Sequence, residues 1–276
     1  MKTTVFKICI LTFVLLFSTS INAQEFQGKA YYFSKSTMDL GNWGARFSEA
    51  QKKQIMARLK NRLEKTYVLT FNKEESLFKQ EEKLDVDAMS GATNSWGKNF
   101  SQGNQYNNVK TNQQIQKQEF YGKQFLVKDN LQPIKWNLGT ETKQIGNYMC
   151  FKATASVPTT DLTWYDFSWD RLRNTNQEQS ENNEEVEVEM TQIEAWYTPQ
   201  IPVRHGPSEF WGLPGLILEV SAGNTTMLCT KIVMNADENE KIEAPERGKE
   251  ITKQEYQKTI TNKMKEFRDN RVRRRG

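Results

Sequence analysis

His205 is the only histidine in the chain, and it lies in Val203-Arg204-His205-Gly206-Pro207, next to Ser208. A histidine beside a serine is the raw material of nucleophilic catalysis, in which imidazole takes the hydroxyl proton and an acid orients it. Adjacency along the chain is not that geometry, and neither GxSxG nor a comparable nucleophile context accompanies it. One histidine also supplies zinc poorly, because such sites draw on several His, Cys and carboxylate ligands at set spacings. Neither GxGxxG nor GxxxxGKS occurs, so the phosphate-cradling loops are missing too. The sequence nominates no catalytic residue, no metal ligand and no cofactor. Paired carboxylates stay open as chemistry, since glycoside hydrolysis needs only two acids at a suitable separation. With 34 acidic residues the sequence does not select two. Asp129, Glu194 and Glu219 stand out because each lies in or beside a strand-like run.

Binding chemistry has more material. Trp164, Tyr165, Phe167 and Trp169 crowd together, and Trp196, Tyr197, Phe210 and Trp211 flank a turn-like segment. Such rings most often fill a core; a concave sheet could instead present them to a ligand. Trp196, Tyr197, Phe210 and Trp211 are therefore the ligand-binding candidates. The segment beside them, Gly212-Leu213-Pro214-Gly215-Leu216-Ile217, is a structural motif. Pro214 and Gly215 suit the central positions of a type II turn, the glycine taking the positive φ. Leu216, Leu218 and Val220 then alternate with Ile217 and Glu219, the period of a strand with one buried face.

Positioning these residues falls to a mainly β framework with some helix (α+β): a curved antiparallel sheet, or partial barrel, with two amphipathic helices packed on it. Short strand candidates between Phe26 and Met234 are separated by gaps rich in Gly, Asn and Pro, the cadence of an antiparallel meander. Gly223-Asn224 makes a hairpin turn. Ser48-x-x-Gln51 and Thr252-x-x-Glu255 are capping boxes that start the helices. Ile55, Leu59 and Leu63 form the apolar stripe of the first helix. Tyr256, Ile260, Met264 and Phe267 form that of the second, near 252–270.

Residues 1–23 read as a signal peptide: Lys2 and Lys7, an apolar centre from Ile10 to Phe17, and a small-polar end at Ser18 to Ala23. Residues 24–276 are then one β-rich domain with polar insertions near 85–113 and 171–189. The apolar centre is shorter than the roughly 20 residues of a membrane span, and no later segment is apolar enough. The expected address is periplasmic or extracellular, without a transmembrane span. A formal charge of +4 is too small for a dedicated nucleic-acid-binding field. The tail from Arg271 to Gly276 carries four arginines; an anionic envelope surface would attract it and salt would screen it. Cys150 and Cys229 remain after signal removal, and an even pair in an oxidising compartment suggests one disulfide. Lysines two residues on, Lys152 and Lys231, place both thiols on the more polar faces of their strands.

The run Ala195-Trp196-Tyr197-Thr198-Pro199, then Ile201-Pro202, Gly206-Pro207 and Gly212 to Ile217, resembles the signature of the GLPGLI family. Those are secreted bacterial proteins named for the hexapeptide. Tyr67 to Phe71, Glu75 to Phe78, Phe125 to Asp129, Ile134 to Trp136 and Tyr148 to Thr154 continue the likeness across most of 26–235. The resemblance implies an extracytoplasmic, mainly antiparallel β protein and transfers no catalytic residue. The expectation is a non-enzymatic envelope protein. It would bind an apolar, peptide or glycan ligand, or an envelope protein, through the aromatic-lined side of its sheet. A secreted hydrolase using paired carboxylates and a structural interaction module are the alternatives. An apolar cavity bordered by Trp196, Phe210 and Trp211 would mark the first, facing carboxylates the second, and a filled core the third.

Overall fold

Buried and half-exposed side chains alternate along the first strand, β1 (Gly28–Ser36), with Ala30, Tyr32 and Ser34 facing inward. That period of two is what a sheet with one covered face requires. The computed structural model describes residues 26–37, 46–81, 102–169, 188–235 and 241–273. Within them follow β2 (Glu64–Phe71), β3 (Glu75–Gln80), β4 (Gln105–Asn108), β5 (Gln113–Phe120) and β6 (Lys123–Asn130). Then come β7 (Asn137–Ile145), β8 (Tyr148–Pro158), β9 (Met190–Thr198), β10 (Leu216–Ala222), β11 (Thr225–Met234) and β12 (Lys249–Ile251). The helices are α1 (Glu49–Leu63), α2 (Thr159–Leu162) and α3 (Lys253–Arg273).

All these strands join one 12-stranded sheet in the order β12-β6-β5-β4-β3-β2-β1-β11-β10-β9-β8-β7. The protein is mainly β, as expected, and the pairing is antiparallel everywhere except between β12 and β6, which run parallel. Antiparallel pairing between chain neighbours builds two wings. The long-range pair β1–β11 joins them, with Tyr32 opposite Cys229. The Tyr32 hydroxyl donates to the Ile217 carbonyl at 2.7 Å, reaching across β11 to β10. Gly223, with φ +54°, closes the β10–β11 hairpin where the sequence places it.

The main core lies on the inner face, between β1–β3, β8–β11 and the segment from Ile201 to Leu213. α3 packs on the inner face of β5 and β6, burying Tyr256, Ile260 and Met264 against Phe120, Phe125 and Val127. Ile242 and Ala244 cover Tyr106, Ile115 and Leu126 on the opposite face.

Several expectations are revised. Of the two helices expected to pack, only α3 buries a stripe, and of its four expected residues Phe267 stays exposed. α1 has its capping box, Ser48 with Gln51, but Ile55, Leu59 and Leu63 are only half-buried. One apolar residue per turn makes too narrow a ridge to dock deeply. The stretch 85–113, read as a polar loop, contains β4 and the first residue of β5 among its described residues. Its Gln and Asn residues pair through their backbones, which side-chain polarity does not report. The signal segment 1–23 lies outside the described residues, as does all of 171–189 except its last two.

The disulfide is absent: Cys150 and Cys229 are free and buried, with Cys150 opposite Lys143 in the β7–β8 register. β9 and β10 stand between their strands, and three strand spacings amount to about 14 Å along a sheet. A bridge needs Cα atoms closer than about 7 Å. Burial pushes the thiols up, Cys150 to about 11 and Cys229 to about 12.

Candidate functional site

Inward-facing side chains change character midway across the sheet. On β1 to β3 they are mostly apolar, among them Tyr32, Leu69, Phe71 and Phe78. On β4 and β5 they are amides: Gln105, Asn107, Gln114, Gln116 and Gln118, all buried. Register sets Gln105 opposite Gln116 and Asn107 opposite Gln114, giving a polar stripe two strands wide. β6 returns to Phe125 and Val127.

Three elements roof the stripe: the segment carrying Ser208 and Glu209, the indole of Trp164, and the first turn of α3. Ser208 sits at φ +55°, a conformation uncommon outside glycine. Its carbonyl accepts from Gln105 Nε2 at 3.1 Å, and its hydroxyl is bonded to the Gln102 side chain. Gln118 Oε1 accepts from the Gly103 backbone at 2.6 Å.

Glu209 is the polar hub. Its Oε1 accepts from Trp164 Nε1 at 3.0 Å. Its Oε2 accepts from Gln114 Nε2 at 2.8 Å and from Lys253 Nζ at 3.2 Å. The Lys253 ammonium also lies 5.2 Å from the centre of the Trp164 ring, and its backbone N–H donates to Asp129 Oδ2 at 3.2 Å. Glu209 thus holds the side chain of Lys253 and Asp129 its backbone, and Gln114 sits opposite Asp129 in the β5–β6 register.

Not every amide is satisfied. Gln116 is fully buried, and neither its Oε1 nor its Nε2 has a protein partner; Gln114 Oε1 is also unpartnered. An unpaired buried polar atom costs about 1–3 kcal/mol, so the stripe holds unused hydrogen-bonding capacity: one donor and two acceptors. His205 is buried beside Phe71, their ring centres 6.5 Å apart. Neither ring nitrogen makes a well-formed hydrogen bond. Burial pushes its imidazole down to about 4, with the Asn72 backbone opposing. At neutral pH it is uncharged, packed against a core ring, and not paired with Ser208.

The signature segment anchors the roof. Gly212 takes φ +98°, and its N–H donates to the Arg204 carbonyl at 2.9 Å. Gly215 does not occupy the positive-φ position of a type II turn. It is needed because a Cβ there would fall 2.3 Å from the Thr198 carbonyl oxygen. The Leu216 and Ile217 amides donate to the carbonyls of Ile201 and His205. A bulge between Ile217 and Glu219 interrupts the expected alternation. Leu216, Ile217, Leu218 and Val220 are consequently all buried, and Leu213 with them, while Pro214 is exposed.

The four ligand-binding candidates do not come together. Tyr197 and Phe210 are buried within the core. Trp196 stands opposite Lys152 and Glu219 in the ladder, with Lys143 Nζ 4.5 Å and Lys152 Nζ 5.8 Å from its ring centre. Trp211 donates from Nε1 to the Gln132 carbonyl at 2.9 Å, and its own carbonyl accepts from Trp136 Nε1 at 2.8 Å. These rings tie segments together. The carboxylates Glu194 and Glu219 are held by lysines as well, Lys152 at 3.1 Å and Lys143 at 2.8 Å. The Lys152 hydrogen bond holds the Glu194 carboxyl below its usual range.

Sequence reasoning passed over Glu209 and the amide stripe. A signal exists in Gln114, Gln116 and Gln118, which recur at every second position; glutamines at that spacing are ordinarily taken as the solvent face. A surface recess of about 420 Å3 lies on the other side of the sheet, over Tyr31 and Val68.

The fold and site define a class: a mainly β protein, built on one wide sheet with a roofed polar interior. Residues 136–219, which run from just before β7 into β10, match a family described as "Protein of unknown function (Porph_ging)". No curated protein matches. Among solved structures the chain is similar to PNGF-II in its C2 and P21 crystal forms, each at 16% identity and a TM-score of 0.47. The likeness covers 85% of this chain and 32% and 33% of those chains, so the chain spans about a third of the length of PNGF-II.

Proposed function

We propose that this is a non-enzymatic, exported envelope protein that binds a polar ligand, a peptide or glycan segment, along its inner amide stripe. The observation that carries the reading is Gln116, fully buried with both amide atoms unpartnered. A row of amides with spare donors and acceptors suits hydroxyl- or amide-bearing ligands, and an indole beside it adds a flat apolar wall. The aromatic-lined apolar site expected from the sequence has no support here, since its rings are core or tether residues. Export rests on the signal-like residues 1–23, and membership of the GLPGLI type on the signature at 212–217, which falls inside the matched segment. A curved sheet, or partial barrel, suits the Tyr32–Ile217 hydrogen bond across an intervening strand.

Native mass spectrometry of protein released gently from its envelope, with extraction of bound material, tests the reading. A stoichiometric peptide or glycan that disappears in Gln116→Leu and Gln114→Leu supports it. The bare chain mass, with no saccharide or peptide binding detected by calorimetry, refutes it.

The hydrolase reading keeps one observation in its favour: Lys253 is bonded to two carboxylates, to Asp129 through its backbone N–H and to Glu209 through its Nζ. Turnover of glycosides abolished by Glu209→Gln with binding retained would establish it in place of the first.

A further inference from the structure

We propose that the C-terminal end of α3, together with the β5–β6 hairpin tip, docks on an anionic lipid bilayer surface. Residues 253–276 hold nine Lys or Arg and three Asp or Glu, a net +6 against +4 for the whole chain. The protein's excess positive charge is therefore concentrated in α3 and its tail. Exposed aromatic rings gather at the same end. Tyr121, at φ +48° on the hairpin tip, is 40% exposed and packs on Phe267, itself 36% exposed, with ring centres 4.9 Å apart. Half-buried Trp169 and Phe167 form a second ring pair, 4.8 Å apart.

Cations and rings are interleaved. Lys263 Nζ lies 5.2 Å from the Phe267 ring centre, and the Arg268 guanidinium 5.8 Å from that of Trp169. Residues 266–270 are all exposed. Aromatic side chains prefer the headgroup level of a bilayer, and clustered Lys and Arg are drawn to anionic lipid. A basic helix end bordered by rings offers both chemistries on one surface. Apolar rings held edge-on to one another, not splayed as separate platforms, favour a lipid interface over stacked bases.

Co-sedimentation of the purified protein with phosphatidylcholine vesicles, with and without phosphatidylglycerol, tests this. Binding is expected only with the anionic lipid and should disappear at high salt. Converting Arg271, Arg273, Arg274 and Arg275 to Gln should weaken binding by at least an order of magnitude, at about fivefold per charge. Phe267→Ser with Tyr121→Asn should weaken it with the charge unchanged, asparagine tolerating positive φ; thermal unfolding verifies that both variants are folded. Equal binding to both vesicle types, no vesicle binding, or binding of DNA or heparin without vesicles would each overturn the proposal. It does not depend on the amide stripe, so ligand loss in Gln116→Leu leaves it intact.

Discussion

Lys253 Nζ and Glu209 Oε2 stand 3.2 Å apart with their side chains 16% and 12% exposed, joining the first residue of α3 to the roof over the amide stripe. Removing one member leaves the other charge largely buried, which is what makes breaking such pairs costly. Lys253→Met should destabilise by about 2–4 kcal/mol in urea unfolding. Adding Glu209→Gln should recover part of that loss. Additive losses would mean the two charges do not act as a pair.

Gln116→Leu should raise stability by about 1 kcal/mol, because it removes two unpartnered buried polar atoms for a side chain of similar reach. The same substitution should abolish ligand binding, a trade expected where a site carries unsatisfied groups. A fall in melting temperature would show that the amide is satisfied in solution.

The two glycines of the signature should respond differently to alanine. At Gly215 the new Cβ would meet backbone at 2.3 Å, and rigid backbone cannot turn aside as a side chain can, so a loss of about 3 kcal/mol is expected. At Gly212 the nearest atom is 3.7 Å away and only φ +98° is at issue, costing about 1–2 kcal/mol. Equilibrium denaturation of both variants gives the order.

His205 should confer a pH dependence. Its ordinary value of 6.5 is pushed down to about 4 in the fold, so between those values the unfolded chain binds more protons. Its contribution is complete above about pH 6.5 and is lost as pH falls toward 4, by up to about 3 kcal/mol. Subtracting the stability profile of His205→Leu from that of the wild type should reveal this slope. Parallel profiles would count against a neutral, buried imidazole.

Cys150 and Cys229 should resist alkylation in the folded protein, since burial raises both thiols and the thiolate is the reactive form. In protein prepared without residues 1–23, two thiols should titrate after unfolding without reductant. None would mean that the pair is bridged.

Features that depend on residues close along the chain were legible before the structure. The Ser48–Gln51 box, the turn at Gly223, the buried stripe of α3 and the β character all follow from side-chain period and turn chemistry within a few residues. Alternation says which residues share a face of a strand, but not which face is covered. Nothing near Gln114, Gln116 and Gln118 in the chain marks them as covered; α3, Trp164 and the roof close over them from positions some 45 to 140 residues away. The aromatic candidates show the complementary case. Trp196, Tyr197 and Phe210 were legible as large rings, and only the packing of distant strands made them core. Proximity of Glu209 to Lys253, and separation of Cys150 from Cys229, are likewise set by strand order. A sequence specifies its local periods directly, whereas contacts between distant segments follow from how those periods bury one another.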